Sequence, residues 1–387
     1  MELHIQKLLR TDSAALDQIQ SLGIGYHAHP RFPNLMQFAY SMMDSHSVKD
    51  HLVVCESRGL MLDSALNWAV VAHPFNRFFN WGEPGSAEID WSTARVQEKL
   101  DGSLLVMYYW AGAWQVNTRK TPGAGSPVGD WGISFADLFW RCWGQQYGDA
   151  GFAHLTPGST YCWELTSPLN RIVTHHADER ITLLAVRLAD GQEQTVQQYQ
   201  HCFDVVGHYQ FGSAEAAAEA AELLDPMKQE GFVVVDAEFR RVKIKSSHYV
   251  AIHRTVTSLN TRSIVELIQQ GQAHQVLTHF PEIEREFNQI RDHFSAQAAE
   301  IDRWFARIQP WAQQVTHSGD READTLSRKI FAAGVAEQVP GRYHAAMFAL
   351  VKHQAGSGCD WILQQDIEPI LRWMDLKSMK KFNTPGE

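Results

Sequence analysis

The chain has 387 residues, 44% hydrophobic and 20% charged. That excludes a disordered polymer and leaves room for two or three packed domains. A formal net charge of −10 excludes a uniformly basic nucleic-acid coat, although a local cationic groove can sit on an acidic body and would bind RNA weakly and salt-sensitively. No apolar run reaches membrane-spanning length and no signal-peptide pattern opens the chain, so the expectation is a cytoplasmic protein with no membrane partner. The scattered Cys55, Cys142, Cys162, Cys202 and Cys359, without a CxxC pair, read as reduced core residues and not as a zinc site.

In chain order, residues 1–25 carry Leu8, Leu9, Leu16, Ile19 and Leu22 at helix-like spacing. From about residue 40 to 250 the pattern is short apolar strands separated by turns. The segment around Leu52-Val53-Val54 and Met61-Leu62 reads as a strand, followed by strands at 66–71, 104–110, 114–118, 161–165, 181–186, 232–235 and 242–245. Helices are expected at 131–145 and 213–224, the latter rich in Ala and Glu. Beyond 256 the period changes. Ile283, Phe287, Ile290, Phe294, Ile301, Phe305 and Ile308 form a helical stripe, and further helices are expected at 323–337, 342–354 and 360–375, divided by glycine and proline. The fold class expected is α+β: antiparallel sheets around a nucleotide cleft over residues 1–255, then an all-α domain over 256–387. The latter holds 14 Lys and Arg against 16 Asp and Glu and is no basic tail. Its apolar stripe and tryptophans read as core.

The chemistry is concentrated in a few blocks. Glu98-Lys99-Leu100-Asp101-Gly102-Ser103 is a KxDG sequence ahead of an apolar run. A lysine held in place and stripped of its proton is a nucleophile toward phosphorus. Asp101 supplies an acceptor, and Gly102 lets the backbone approach a ligand closely. Upstream lie Arg58-Gly59-Leu60 and Phe75-Asn76-Arg77-Phe78-Phe79-Asn80-Trp81-Gly82-Glu83. Downstream come Glu164, alone in an apolar strand, then Ser167-Pro168-Leu169-Asn170-Arg171-Ile172-Val173, Glu230-Gly231-Phe232-Val233, Val242-Lys243-Ile244-Lys245 and Tyr249. Taken singly, each block has a plain alternative. The KxDG could be a hairpin turn with a solvated lysine, Glu164 a strand-end acid, and Lys243 with Lys245 one wet face of a strand.

Taken in this order, the blocks resemble covalent nucleotidyltransferases, and within them the T4 RNA ligase 1 family. FFNxGE and SPxNRIV are the specific marks, and the resemblance covers residues 40–255. It implies an ATP-grasp-like ligase core and an ATP-dependent RNA ligase joining 5′-phosphate to 3′-hydroxyl ends through a lysyl-AMP, in RNA or tRNA repair. Other lysyl-nucleotidyltransferases (DNA ligase, capping enzyme) and a non-catalytic RNA-end binder are the alternatives. By this resemblance Lys99 is the nucleophile, with Asp101 orienting it or assisting later steps. Lys243, Lys245 and Arg58, together with a magnesium ion, would discharge Lys99 and steady the phosphates. Manganese is the substitute metal.

Glu164 and Glu230 would orient the metal through water or bind ribose. Glu98, Gly102, Arg58, Arg77, Phe79, Lys120, Glu164, Glu230, Gly231 and Tyr249 would contact the nucleotide. Arg77 stands where relatives carry lysine. The second basic position is either Arg119 or Lys120. Because residues 181–187 hold no aromatic, adenine is expected on an aliphatic surface. The C-terminal domain would select the RNA, for example a cleaved tRNA, and the protein is expected to act as a monomer.

Overall fold

Strong β-formers at period two need a partner for each face, and the chain satisfies them with three sheets. The computed structural model describes residues 2–42, 44–315 and 318–376. The chain divides into two units, one running to Thr257 and the other beginning at Ser258. In the first, α1 (His4–Thr11) and α2 (Ala15–Ser21) precede β1 (Ile24–Ala28) and β2 (Leu35–Tyr40), and α3 (Leu52–Glu56) leads into β3 (Arg58–Asp63) and β4 (Ala69–Ala72). Next come β5 (Phe79–Asn80), β6 (Arg95–Lys99), β7 (Ser103–Trp110), β8 (Ala113–Thr118), α4 (Phe135–Gln146), β9 (Thr160–Thr166) and β10 (Arg180–Arg187). The unit closes with β11 (Glu193–Gln194), β12 (His208–Tyr209), α5 (Ala214–Glu222), β13 (Gly231–Val235), β14 (Arg241–Lys245) and α6 (Ser247–Thr257).

The strand orders are β1-β2-β3-β4, β11-β10-β9-β7-β8 and β12-β6-β13-β14-β5. The pairings between these strands are antiparallel except β5 with β14. Each sheet covers one face with helix. Phe38, Leu60 and Leu62 pack on Ile5, Ile19 and Val53. Leu105, Tyr161 and Trp163 pack on Phe139 and Trp143 of α4. Val96, Val234 and Val242 pack on Ala214, Ala217 and Ala221 of α5. Alternation then sends Lys99, Lys243 and Lys245 to the uncovered face of one sheet and Glu164 to that of another.

Three expectations change. Leu52-Val53-Val54 is helical, not extended. Val53 and Val54 are buried against the first helices, and the Glu56 carboxylate accepts the backbone N–H groups of His4 (3.0 Å) and Ile5 (2.9 Å), so packing overrides β-propensity. The strand expected at 66–71 starts only at Ala69, because Asn67 and Trp68 adopt left-handed backbone at φ 50° and 57°. Strands β1 and β2 lie where no strand is expected.

The second unit is helical in its regular elements among the described residues: α7 (Thr261–Gln269), α8 (Ala273–His279), α9 (Glu284–Ala312), α10 (Arg321–Gln338), α11 (His344–Val351), α12 (Gly358–Leu363) and α13 (Ile367–Trp373). The stripe at 283–308 runs along α9, where Phe287, Ile290, Phe294, Ile301 and Ile308 are buried. The helix expected at 360–375 is two, broken where Asp366 turns extended. Among the described residues no helix is long and apolar enough to cross a membrane.

Candidate active site

Lys99 ends β6, and register fixes its neighbours. Gly231 of β13 pairs with Lys99 on one side and Lys245 of β14 on the other. A glycine thus separates two lysines on the strands that flank its own. It is obligatory, because at φ +148° a Cβ there would overlap the Ile244 carbonyl. Glu230, just before it and 3% exposed, reaches both amines: its Oε2 lies 2.5 Å from Lys99 Nζ and its Oε1 lies 2.7 Å from Lys245 Nζ.

The charge balance differs from the expectation for Lys99. Burial alone would lower the Lys99 pKa, but Glu230, and after it Glu164 and Asp101, outweigh burial and hold it above its ordinary value. Lys99 is therefore biased toward its ammonium form. Lys243 is biased the other way, its pKa held well below the usual lysine value by burial and by Arg58, Lys99 and Lys245. Burial would likewise raise Glu230, yet Lys99 and Lys245 together keep it below the usual carboxylate range.

Asp101 does not point at the Lys99 amine. It is 3% exposed. Its Oδ2 accepts the backbone N–H of Val173 (2.9 Å) and Thr174 (2.7 Å), and its Oδ1 accepts the Tyr249 hydroxyl (2.6 Å). Tyr249, expected at the nucleotide, is instead 2% exposed with its hydroxyl committed to Asp101. Its ring lies 5.7 Å from Lys245 Nζ. Gly102 does permit a close approach, but to its own protein: a Cβ would overlap the Leu165 carbonyl. Glu98 lies on the other face of β6 from Lys99, paired with core residue Phe232, and burial raises its pKa.

Glu164 sits on β9 opposite Leu104 and Thr182, and its Oε1 accepts the Gly102 N–H at 3.1 Å. Burial pushes its carboxyl up to about 7, against the pull of Lys99. Among the described residues no group of three or more His, Cys, Asp or Glu could hold a metal. A magnesium-class ion that keeps most of its waters needs only one or two carboxylates. Glu164 fits that role. Glu230 fits it less well, since both its oxygens already hold ammonium groups.

Beyond the lysines lies a guanidinium and aromatic cluster. Arg77 lies 4.4 Å and Arg119 5.2 Å from the Tyr40 ring centroid. Arg58 lies 5.0 Å from Phe75 and 5.4 Å from Phe78, and Lys243 Nζ lies 4.7 Å from Phe78. Arg119 is the basic side chain that joins this cluster, and Lys120 is exposed. Gln37 holds the Arg119 carbonyl at 3.1 Å, and Gly59 at φ +86° leaves space against the same residue. Phe79, chosen from sequence, is buried beside Arg77 and Lys49. The ring that reaches Lys243 is Phe78, in one apolar cluster with Leu104, Leu184 and Phe75, so an aromatic joins that cluster from outside residues 181–187. Nothing local in the sequence marks Tyr40, Phe75 and Phe78 as partners of these cations. Adjacent aromatics in FFN are indistinguishable until the strand shows which one faces inward.

A sequence profile of the family described as RNA ligase, of the T4 RNA ligase 1 type, matches residues 56–249. A baculovirus protein (Autographa californica nuclear polyhedrosis virus) named as a bifunctional polynucleotide kinase/RNA ligase is 32% identical over 61% of this chain and 36% of its own length. An RNA ligase of Rhodothermus phage RM378 is 24% identical over 53% of this chain and 61% of its own length. The chain thus spans less than two thirds of either relative. A Naegleria gruberi RNA ligase structure superposes with a TM-score of 0.34 at 17% identity, over 42% of this chain and 52% of that one, too loosely to bear on the site. The profile match takes in half of the chain, and every block from Arg58 to Tyr249 falls inside it: the protein belongs to the T4 RNA ligase 1 family.

Proposed function

We propose that this chain is an ATP-dependent RNA ligase working through a phosphoramidate on Lys99. The observation that carries this reading is the shared carboxylate. One buried Glu230 holds the KxDG lysine and Lys245 across three adjacent strands, with arginines and Lys243 alongside. Nucleophile and phosphate-binding cations are thereby gathered at one place. Family membership and the names of the two relatives support it.

Lys99 Nζ forms a bond to the α-phosphorus of ATP, and the bond to pyrophosphate breaks. The AMP passes to a 5′-phosphate, and a 3′-hydroxyl displaces it. Before the first step Lys99 must leave Glu230 and give up a proton to solvent, and a second proton leaves the same way as the nitrogen–phosphorus bond forms. Lys245 stays behind as the counter-charge that keeps Glu230 ionised. Arg58, Arg77, Arg119 and Lys243 are assigned to the phosphates, and Phe78 with Leu104 and Leu184 to the apolar side of the nucleotide. A magnesium or manganese ion beside Glu164, held through water, would supply positive charge to the reacting phosphate. The natural substrate is proposed to be RNA with 5′-phosphate and 3′-hydroxyl ends, such as a cleaved tRNA, selected by the helical unit.

The test is incubation with α-labelled ATP and magnesium, followed by denaturation. Label is expected on the wild-type protein and absent from Lys99→Ala. Label retained by Lys99→Ala removes the assignment, and an end-joining panel on RNA and DNA strands then reads the substrate.

A further inference from the structure

The block Ser167–Val173 is used by no step of the ligation reading, although it is among the most specific features of the sequence. Its position supplies a use. The chain leaves one sheet at Lys99 and enters another at Ser103, so Leu100, Asp101 and Gly102 cross between sheets without a ladder to fix them. Their polar groups need other partners. Tyr249 and Glu164 supply two of them, and the segment that follows β9 supplies further ones.

Asn170, 5% exposed, donates from Nδ2 to Ser103 Oγ at 2.8 Å. The N–H groups of Val173 and Thr174 hold the Asp101 carboxylate. His176 Nε2 lies 2.8 Å from the Asp101 carbonyl, so that nitrogen carries the proton. The segment is itself set: Ser167 Oγ accepts the Leu169 N–H at 3.0 Å, Arg171 Nε donates to the Val173 carbonyl at 3.1 Å, and the His175 N–H donates to the Met227 carbonyl at 2.9 Å. It grips the crossing at the carbonyl of Asp101, at its carboxylate and at the hydroxyl of Ser103.

We propose that Ser167–His176 is a positioning collar for the nucleophile, with Asn170 and His176 as its positioning residues. This rests on the ligase reading of Lys99. Neither side chain touches the Lys99 amine. His176 holds the Asp101 carbonyl and Asn170 the Ser103 hydroxyl, so together they anchor the crossing that follows Lys99 and hence the line along which the amine meets phosphorus. A displacement of about 1 Å can cost on the order of 100-fold in rate.

The experiment is single-turnover formation of the Lys99 adduct over a range of ATP concentrations, in the full chain. Asn170→Ala and His176→Ala are expected to form the adduct about 10-fold or more slowly at saturating ATP, while the half-saturating ATP concentration stays within about twofold. His176→Gln, whose amide nitrogen replaces Nε2, is expected to restore most of the rate. Asn170→Ala combined with Ser103→Ala is expected to be no slower than Asn170→Ala alone, because both remove one bond. Should buried Asn170→Ala not fold, the half-exposed His176 pair decides alone. Wild-type rates in folded variants overturn the collar, as does a loss confined to ATP affinity. A wild-type protein that forms no adduct overturns the ligase reading instead, so the two failures are distinct.

Discussion

Glu230 governs the charge balance of the site. It is the strongest influence raising the Lys99 pKa, and it also pairs with Lys245. Glu230→Gln leaves two ammonium groups without their counter-charge. We expect it to cost about 3–5 kcal/mol in urea unfolding and to lower the pH at which Lys99 reacts with an amine-selective reagent. An unchanged reactivity profile would contradict the pairing. Glu164 has the opposite bias. Its folded pKa is raised to about 7 above the unfolded value near 4.5, so its protonated form stabilises the fold. That contribution is complete below the unfolded value and is lost as pH rises through 7. Relative to Glu164→Gln, the wild type should therefore lose on the order of 3 kcal/mol between pH 4.5 and pH 8, measured as the difference in unfolding free energy at each pH. Tyr249→Phe removes one hydrogen bond to a buried carboxylate. The expected loss is about 1.5–3 kcal/mol by denaturant titration, without loss of Arg58 or Lys243 from the cluster.

At the scale of elements, strand register carries the site. Lys99, Gly231 and Lys245 are neighbours only because β6, β13 and β14 pair as they do, and one residue of slip would turn the lysines toward the alanines of α5. The KxDG, EG and KxK blocks were legible because each sits on a short, strongly β-forming run. The helix at Leu52–Glu56 was not legible, since a β-branched pair reads as strand until its burial against the first helices is known. In the second unit, Gly358 begins α12 against α9. A Cβ there would overlap the Ala298 carbonyl, and the Gly358 N–H donates to Asp302 Oδ1 at 2.6 Å. Gly358→Ala is expected to destabilise the protein by about 1–3 kcal/mol. Thermal unfolding followed by tryptophan fluorescence reads this, because Trp361 lies in the same helix.

On the scale of the whole molecule, a chain of net charge −10 gathers Arg58, Arg77, Arg119 and Lys243 into one local cluster of basic side chains. RNA binding through that cluster should be weak and moderately salt-dependent. With about four phosphate contacts, the slope of log affinity against log salt is expected near −3, measured by fluorescence anisotropy on single-stranded RNA. A slope of −8 or steeper would place a second cationic surface elsewhere.

The sequence by itself determined the kind of chemistry, the alternation of strands up to the last lysine and the helical stripe at 283–308, because residue type and periodicity are local properties. Only the tertiary structure decided which groups face one another. It turned Phe78 and not Phe79 toward Lys243, brought Arg119 and not Lys120 to Tyr40, paired the Asp101 carboxylate with Val173, Thr174 and Tyr249, and biased Lys99 toward its charged form. Each of these depends on contacts between residues far apart in the chain, and charge state depends on such neighbours more than on the residue itself.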